Sequence, residues 1–196
     1  MARPDGPLYV ATTNAHKVEE LQALFGNTVE LRPAPATYVA PEEDAPTYEG
    51  NARLKAEALV RQFGLPALAD DSGLEVDALD GAPGLHSARW AETAEARLQK
   101  LETAMAGVPV DERGARFVCA LVVARPDGRS DTATGICDGR IALARRGEGG
   151  FGYDPLFEVP GRGLTMAEVP AAEKNRISHR ARAVQALVAS WERQGG

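Results

Sequence analysis

The chain has 196 residues, 44% of them apolar, enough to bury a core as one large domain or as two lobes sharing a sheet. Its formal net charge of −6 and pI near 5.2 oppose non-specific nucleic-acid binding, which needs a broad basic surface to displace counterions, so any anion site must be local. Two cysteines, Cys119 and Cys137, are too few for a disulfide scaffold and lack metal-ligand spacing, and no stretch has the pattern of a signal peptide or membrane span, so a soluble protein of the cytoplasm is expected.

Leu8 to Thr12 is a short apolar run suited to a buried strand, and Val18, Leu21, Leu24 and Phe25 follow at helical spacing, which gives a βα unit. At the junction stand Thr12, Thr13, Asn14, Ala15, His16 and Lys17. Unpaired N–H groups and partial positive charge at a helix start suit a phosphate, with Lys17 as a point charge, although the same residues also make an ordinary N-cap. Thr28 to Leu31 reads as a second strand, and the Pro-rich stretch from Pro33 to Pro46 reads as an exposed loop carrying Glu42, Glu43 and Asp44. Ala52, Ala56, Leu59, Val60 and Phe63 then form one apolar helical stripe that ends at Gly64, with Lys55 off the stripe.

Leu65 to Ala69 returns as a strand, with Asp70 and Asp71 at its end ahead of a turn at Ser72-Gly73. Alternate strand residues point to opposite faces, so only one of the two carboxylates faces a given cleft, and Asp71 is the candidate. Mg²⁺ takes oxygen ligands, typically one or two carboxylates together with substrate phosphates, and Asp71 with one acid of the Glu42 to Asp44 loop meets that demand. A solvated acidic surface is the competing reading of that loop.

Gly81 to Gly84 marks a tight turn before Ser87-Ala88-Arg89-Trp90, and Ala94 to Met105 favours helix. Ala115 to Ala124 and Arg129 to Ile136 flank Pro126-Asp127-Gly128, a hairpin signal. A two-residue Asp127-Gly128 loop would set Cys137 opposite Val118 and turn Cys119 to the other face, against a disulfide. Gly147 to Gly152 matches G-x-G-x-x-G in form, but Tyr153-Asp154-Pro155 disfavours the helix a dinucleotide loop must open, and no P-loop is present. Phe151 and Tyr153, set among glycines, suit either the core or stacking on a planar ring. The last helix starts near Ser178 as N-cap and buries Ala181, Val184, Val188 and Trp191. Strands alternating with helices, plus one long hairpin, predict an α/β fold with a mixed sheet.

Taken in order, Thr12 to Lys17, Thr47 to Ala52, Ala69 to Leu74, Gly81 to Trp90, Gly150 to Phe157 and Glu173 to Arg180 resemble the inosine/xanthosine triphosphate pyrophosphatase family over nearly the whole chain. The resemblance implies a single domain over residues 1–196, built as an elongated mixed sheet with helices in two lobes and the active site in the cleft between them. It implies hydrolysis of ITP, dITP and XTP to the monophosphate and pyrophosphate with Mg²⁺, as a homodimer, with neither nucleic acid nor membrane as partner. By motif position, Asp71 looks like the catalytic and metal carboxylate and Glu43 like the second metal acid. Asp44-Ala45-Pro46 stands where many relatives have a glycine after the acidic pair, which keeps Glu42 and Asp44 open as alternatives. Thr12, Thr13, Asn14, Lys17, Lys55, Ser72 and Lys174 look like phosphate or substrate contacts. Phe151, Gly152, Tyr153, Asp154, His179 and Arg180 look like the base pocket, with His179 and Arg180 as donors to the 6-carbonyl that inosine and xanthine carry. The competing readings are a related pyrophosphatase that prefers pyrimidine or methylated nucleotides and a non-catalytic nucleotide sensor.

Overall fold

Alternation of apolar residues with period 2 and period 3.6 is realised as six strands and five helices in a computed structural model that describes residues 3–12 and 14–195. The elements are β1 (Leu8–Val10), α1 (Ala15–Phe25), β2 (Leu31–Pro33), α2 (Tyr48–Phe63), β3 (Ala67–Val76), α3 (Ala94–Ala104), β4 (Gly114–Ala124), β5 (Ser130–Ile141), β6 (Phe157–Glu158), α4 (Ala171–Ile177) and α5 (His179–Gly195). The strands form one sheet in the order β2-β1-β3-β4-β5-β6, parallel between β1 and its neighbours β2 and β3 and antiparallel between β5 and β6. The fold is therefore α/β with a mixed sheet, as the sequence predicts. No helix among the described residues is long and apolar enough to cross a membrane.

The chain divides into two compact units, the first made of Met1–Asp71, Cys119–Gly135 and Arg180–Gly196, the second of Ser72–Val118 and Ile136–His179. In the first unit the strands are covered on both faces. Leu8, Val10, Leu68, Cys119, Leu121 and Val123 pack with Leu21 and Phe25 of α1 and with Val184, Leu187 and Trp191 of α5. The intervening residues Ala67, Ala69, Val122 and Ala124 pack with Ala52, Ala56 and Leu59 of α2, so each helix takes one face of a period-2 pattern. Helix α2 starts and stops where local chemistry directs it: the Thr47 side chain accepts from Gly50 N, and Gly64, at φ 65°, returns its N–H to Val60 O.

The second unit has its own core, in which Leu74, Val76, Phe117, Cys137 and Ile141 meet Leu98, Leu101 and Met105 of the α3 region and Leu156 and Phe157. Arg113 is buried inside it and is met by main-chain carbonyls. Its guanidinium donates to Ile141 O at 2.8 Å, Met105 O at 2.9 Å, Ala142 O at 3.0 Å and Val108 O at 3.3 Å, and burial lowers its pKa.

Four boundaries depart from the sequence reading. Thr28 N still bonds Phe25 O, so the chain is turning off α1 there, and β2 begins only at Leu31, on the sheet edge where Pro33 is tolerated. Ser72-Gly73 is no turn: β3 runs on to Val76 because Leu74 and Val76 are buried in the second core. The hairpin loop has three residues, with Arg125 N bonded to Arg129 O, Gly128 N bonded to Arg125 O and Gly128 at φ 84°. Pairing at its mouth is thus one residue off the two-residue expectation, yet both cysteines are free and buried in different cores, as expected of a chain without disulfides. Helix α4 had no sequence forecast, and α5 follows it directly after Ser178, whose backbone is extended.

Candidate active site

Successive residues of β3 send their carboxylates into two different settings. Asp70 is fully buried, and its Oδ2 lies 2.9 Å from Lys17 Nζ and 3.1 Å from Arg180 Nη2, with Arg180 Nε at 3.4 Å. Arg180 Nη1 donates in turn to Glu20 Oε2 at 2.6 Å. Burial by itself would raise the pKa of Asp70; the charges of Lys17 and Arg180 overcome it and hold the carboxyl well below its usual range. Two cations and two anions, contributed by α1, β3 and the first turn of α5, thus close into a charge-balanced cluster.

Asp71 faces α2. Its Oδ2 accepts from Asn51 Nδ2 at 3.1 Å, and its Oδ1 lies 3.5 Å from Lys55 Nζ. The same ammonium lies 3.4 Å from Glu43 Oε2, so two carboxylates from distant parts of the sequence converge on one cation. Burial pushes the Asp71 carboxyl up, and Lys55 and the Asn51 amide offset only part of that rise. The segment bearing Glu43 has no regular structure and is tied to α2 by side chains. Val39 N and O pair with the Gln62 amide at 3.0 and 2.8 Å, Tyr38 OH donates to Lys55 O at 3.1 Å, and Ala45 N donates to Asn51 Oδ1 at 2.9 Å. Burial, with the nearby charge of Glu43, pushes the Tyr38 hydroxyl up to about 12.

The described residues hold no cluster of three or more His, Cys, Asp or Glu side chains able to grip a metal. A pair of carboxylates already directed at one positive charge suits an ion that completes its shell with water and phosphate oxygens, which is how Mg²⁺ is usually held. The donor set therefore fits that ion. At the neighbouring helix start, Thr12 Oγ1 accepts from Asn14 N at 3.2 Å, and Asn14 O accepts from Lys17 N at 3.1 Å. Thr13 lies outside the described residues.

In the second unit, Asp154 is the hub of a small cluster. Its Oδ2 accepts from Phe151 N at 3.0 Å and from Lys174 Nζ at 2.8 Å, and that ammonium sits 5.2 Å from the centre of the Phe151 ring. Gly150, at φ 72°, must be glycine, because a Cβ would run into the Asp154 carboxylate. Tyr153 is a core residue. Its hydroxyl donates to Ser87 O at 2.9 Å, its ring lies 6.5 Å from that of Trp90, and burial pushes it up to about 12. The imidazole of His179 stacks on Phe117 with ring centroids 4.8 Å apart. Gly152 has φ 65°, and Ser72 is half-buried at the point where β3 enters this unit.

The sequence model of the Ham1 family matches residues 8–190. The chain belongs to the Ham1 family. It is 50% identical over 191 residues to the dITP/XTP pyrophosphatase of Geobacillus kaustophilus, covering 94% of each chain. The solved Ham1 protein structures from Coxiella burnetii and Staphylococcus aureus are each 36% identical, with TM-scores of 0.87 and 0.85, and in both cases the match covers 96% of this chain and 99% of the other.

Within this Ham1 chain, Asp71, Glu43 and Lys55 form one cluster, while Asp154, Phe151 and Lys174 form another in the second unit. His179 and Arg180, adjacent in sequence, part company: His179 lies against Phe117, whereas the guanidinium of Arg180 is directed at Asp70 and Glu20. Sequence reasoning missed Glu20 and Asn51. Glu20 lies three residues from Lys17 and so shares its helix face, a signal that was available. Asn51 is almost fully buried in the first turns of α2, where an amide is out of place unless it is bonded.

Proposed function

We propose that this chain hydrolyses the non-canonical purine nucleoside triphosphates dITP, XTP and ITP to the monophosphate and pyrophosphate, with Mg²⁺ as the cofactor. The observation that carries the reading is the convergence of Asp71 and Glu43 on the Lys55 ammonium. The Geobacillus relative, named for dITP/XTP pyrophosphatase activity, supports the substrate class.

A triphosphate repels nucleophiles because its oxygens are negative, so catalysis requires cations and an aligned water. Asp71 and Glu43 hold the metal ion, which when bound neutralises phosphate charge. Asp71 also orients the water that attacks the α-phosphorus and takes its proton. Lys17 and Lys55 present ammonium groups to the phosphates, and Thr12, Thr13 and Asn14, ahead of α1, are assigned to the phosphates on their motif positions. The same cations carry the charge of the departing pyrophosphate. Ser72, Phe151, Gly152, Tyr153, Asp154, Lys174, His179 and Arg180 are assigned to substrate on their motif positions, with Asp70 and Glu20 fixing the plane of the Arg180 guanidinium. A homodimer in the cytoplasm, made of one domain per chain, completes the reading.

The test is a panel of purine and pyrimidine triphosphates assayed with Mg²⁺ for pyrophosphate and orthophosphate separately. Pyrophosphate in equal amount with monophosphate, fastest from dITP, XTP and ITP, is the expected result. Release of orthophosphate, or a preference for pyrimidine nucleotides, overturns the reading, and binding without turnover makes the chain a sensor.

A further inference from the structure

Asn51 links the Asp71 carboxylate to the main chain of the segment that bears Glu43. Its side chain is 1% exposed, and both ends of the amide are used. Nδ2 donates to Asp71 Oδ2 at 3.1 Å, and Oδ1 accepts from Ala45 N at 2.9 Å, two residues beyond Glu43. A carboxamide can donate to a carboxylate through its nitrogen while accepting a main-chain N–H through its oxygen, so two separate atoms make the two bonds. The bond to Oδ2 leaves Oδ1 as the oxygen of Asp71 on the Lys55 side. The bond to Ala45 brings the acidic segment onto the first turn of α2. Gly50 permits that approach, since a Cβ there would lie 2.7 Å from Ala45 Cβ and 3.0 Å from Thr47 Oγ1.

We propose that Asn51 is a positioning residue that sets Asp71 and the Glu43 segment in one arrangement for a divalent cation, with Gly50 as the clearance that lets the segment reach it. The assignment rests on the reading of Asp71 and Glu43 as metal carboxylates and adds the element that joins them. Residues that orient a metal's ligands are commonly worth about 10- to 100-fold in metal affinity or activity, and a single shared amide falls at the lower end of that range.

The experiment titrates Mn²⁺ onto the nucleotide-free chain, reads the free ion by electron paramagnetic resonance, and measures the Mg²⁺ dependence of dITP hydrolysis alongside thermal unfolding. Asn51→Ala is expected to weaken Mn²⁺ binding about tenfold and to raise the half-saturating Mg²⁺ by a similar factor, with most of kcat recovered at saturating metal. Gly50→Ala keeps the amide and its bond to Asp71, so its loss is expected to be smaller, even though Ala is the better helix former. In an Asp71→Asn background, Asn51→Ala is expected to change Mn²⁺ binding less than it does in the parent. If Asn51→Ala does not fold, Asn51→Leu, which keeps the volume without the hydrogen bonds, carries the same expectation. Mn²⁺ affinity within twofold of the parent in a folded Asn51 variant overturns the proposal, whether or not the unfolding temperature falls, because that outcome leaves Asn51 a structural residue only. Absence of Mn²⁺ uptake by the parent chain overturns it as well. Asn51-dependent Mn²⁺ binding in a chain that releases no pyrophosphate from dITP would sink the reading of the reaction and leave the role of Asn51 standing.

Discussion

The two sides of β3 at Asp70 and Asp71 handle buried negative charge in opposite ways. On the side of α1 and α5, Asp70 meets Lys17 and Arg180, and Glu20 completes the balance, so the carboxyl is held ionised far below its usual range. On the side of α2, Asp71 meets Lys55, whose charge is shared with Glu43, and burial leaves the carboxyl raised. The first arrangement is balanced in charge and fixes where Lys17 and Arg180 sit. The second brings two carboxylates to one ammonium, the arrangement on which the proposed cation site rests. Adjacent residues of one type, on one strand, are thus given opposite electrostatic settings by what each face packs against.

The largest effect is expected from Asp71→Asn. Removing a general base costs about 10²–10⁴ in rate, so kcat for dITP is expected to fall into that range, while urea unfolding is expected to remain within about 1 kcal/mol of the parent because Asn relieves a buried charge. Turnover near that of the parent would move the base elsewhere.

Asp70→Asn should do the reverse. Taking one partner from a buried ion pair costs about 3–5 kcal/mol, because Lys17 and Arg180 would face each other without the central anion. Urea titration measures that loss, and equal destabilisation by the two asparagine variants would erase the distinction between the sides.

Arg113 in the second unit sharpens the contrast from another direction. Its positive charge is met by four main-chain carbonyls, so Arg113→Met would leave acceptors unpaired in a core and is expected to cost about 3 kcal/mol of stability, with kcat per folded molecule unchanged. A fall in kcat at temperatures where the variant is fully folded would mean that this guanidinium serves more than packing.

Legibility in the sequence followed the range of the interactions involved. Helix α2 was readable from its apolar stripe and its stop at Gly64, a cap that lies within a turn of the helix end, and strand alternation was enough to set Asp70 and Asp71 on opposite faces. The continuation of β3 through Ser72-Gly73 was not readable, since it depends on Leu74 and Val76 finding a core built from α3, β4 and β5. Helix α4 spans seven residues with no side-chain cap, too short to show a stripe. The pairing of Arg180 with Glu20, 160 residues apart, exists only once the fold has closed, so the sequence offered Arg180 as a donor to substrate without its pairing to these acids.

At neutral pH the last effect is absent, since it lies on the Asp70 side and concerns alkali. Burial pushes the Cys119 thiol up from 9.0 to about 12, and the nearby Arg180 and Lys17 charges offset only part of the rise. The folded chain therefore keeps its proton where the unfolded chain gives it up. Stability from this group is fully present below pH 9, and it drains away as the pH climbs toward 12, with a limiting slope of about 1.4 kcal/mol per pH unit. Cys119→Ala removes the titrating group while keeping a small apolar side chain in the core. The unfolding free energies of parent and variant, measured by urea titration at intervals from pH 8 upward, are expected to keep a constant difference to about pH 9 and then to converge. A difference that stays constant at higher pH would show that the thiol ionises freely inside the fold, and that the charge-balanced side of β3 is more open to water than its buried ion pairs indicate.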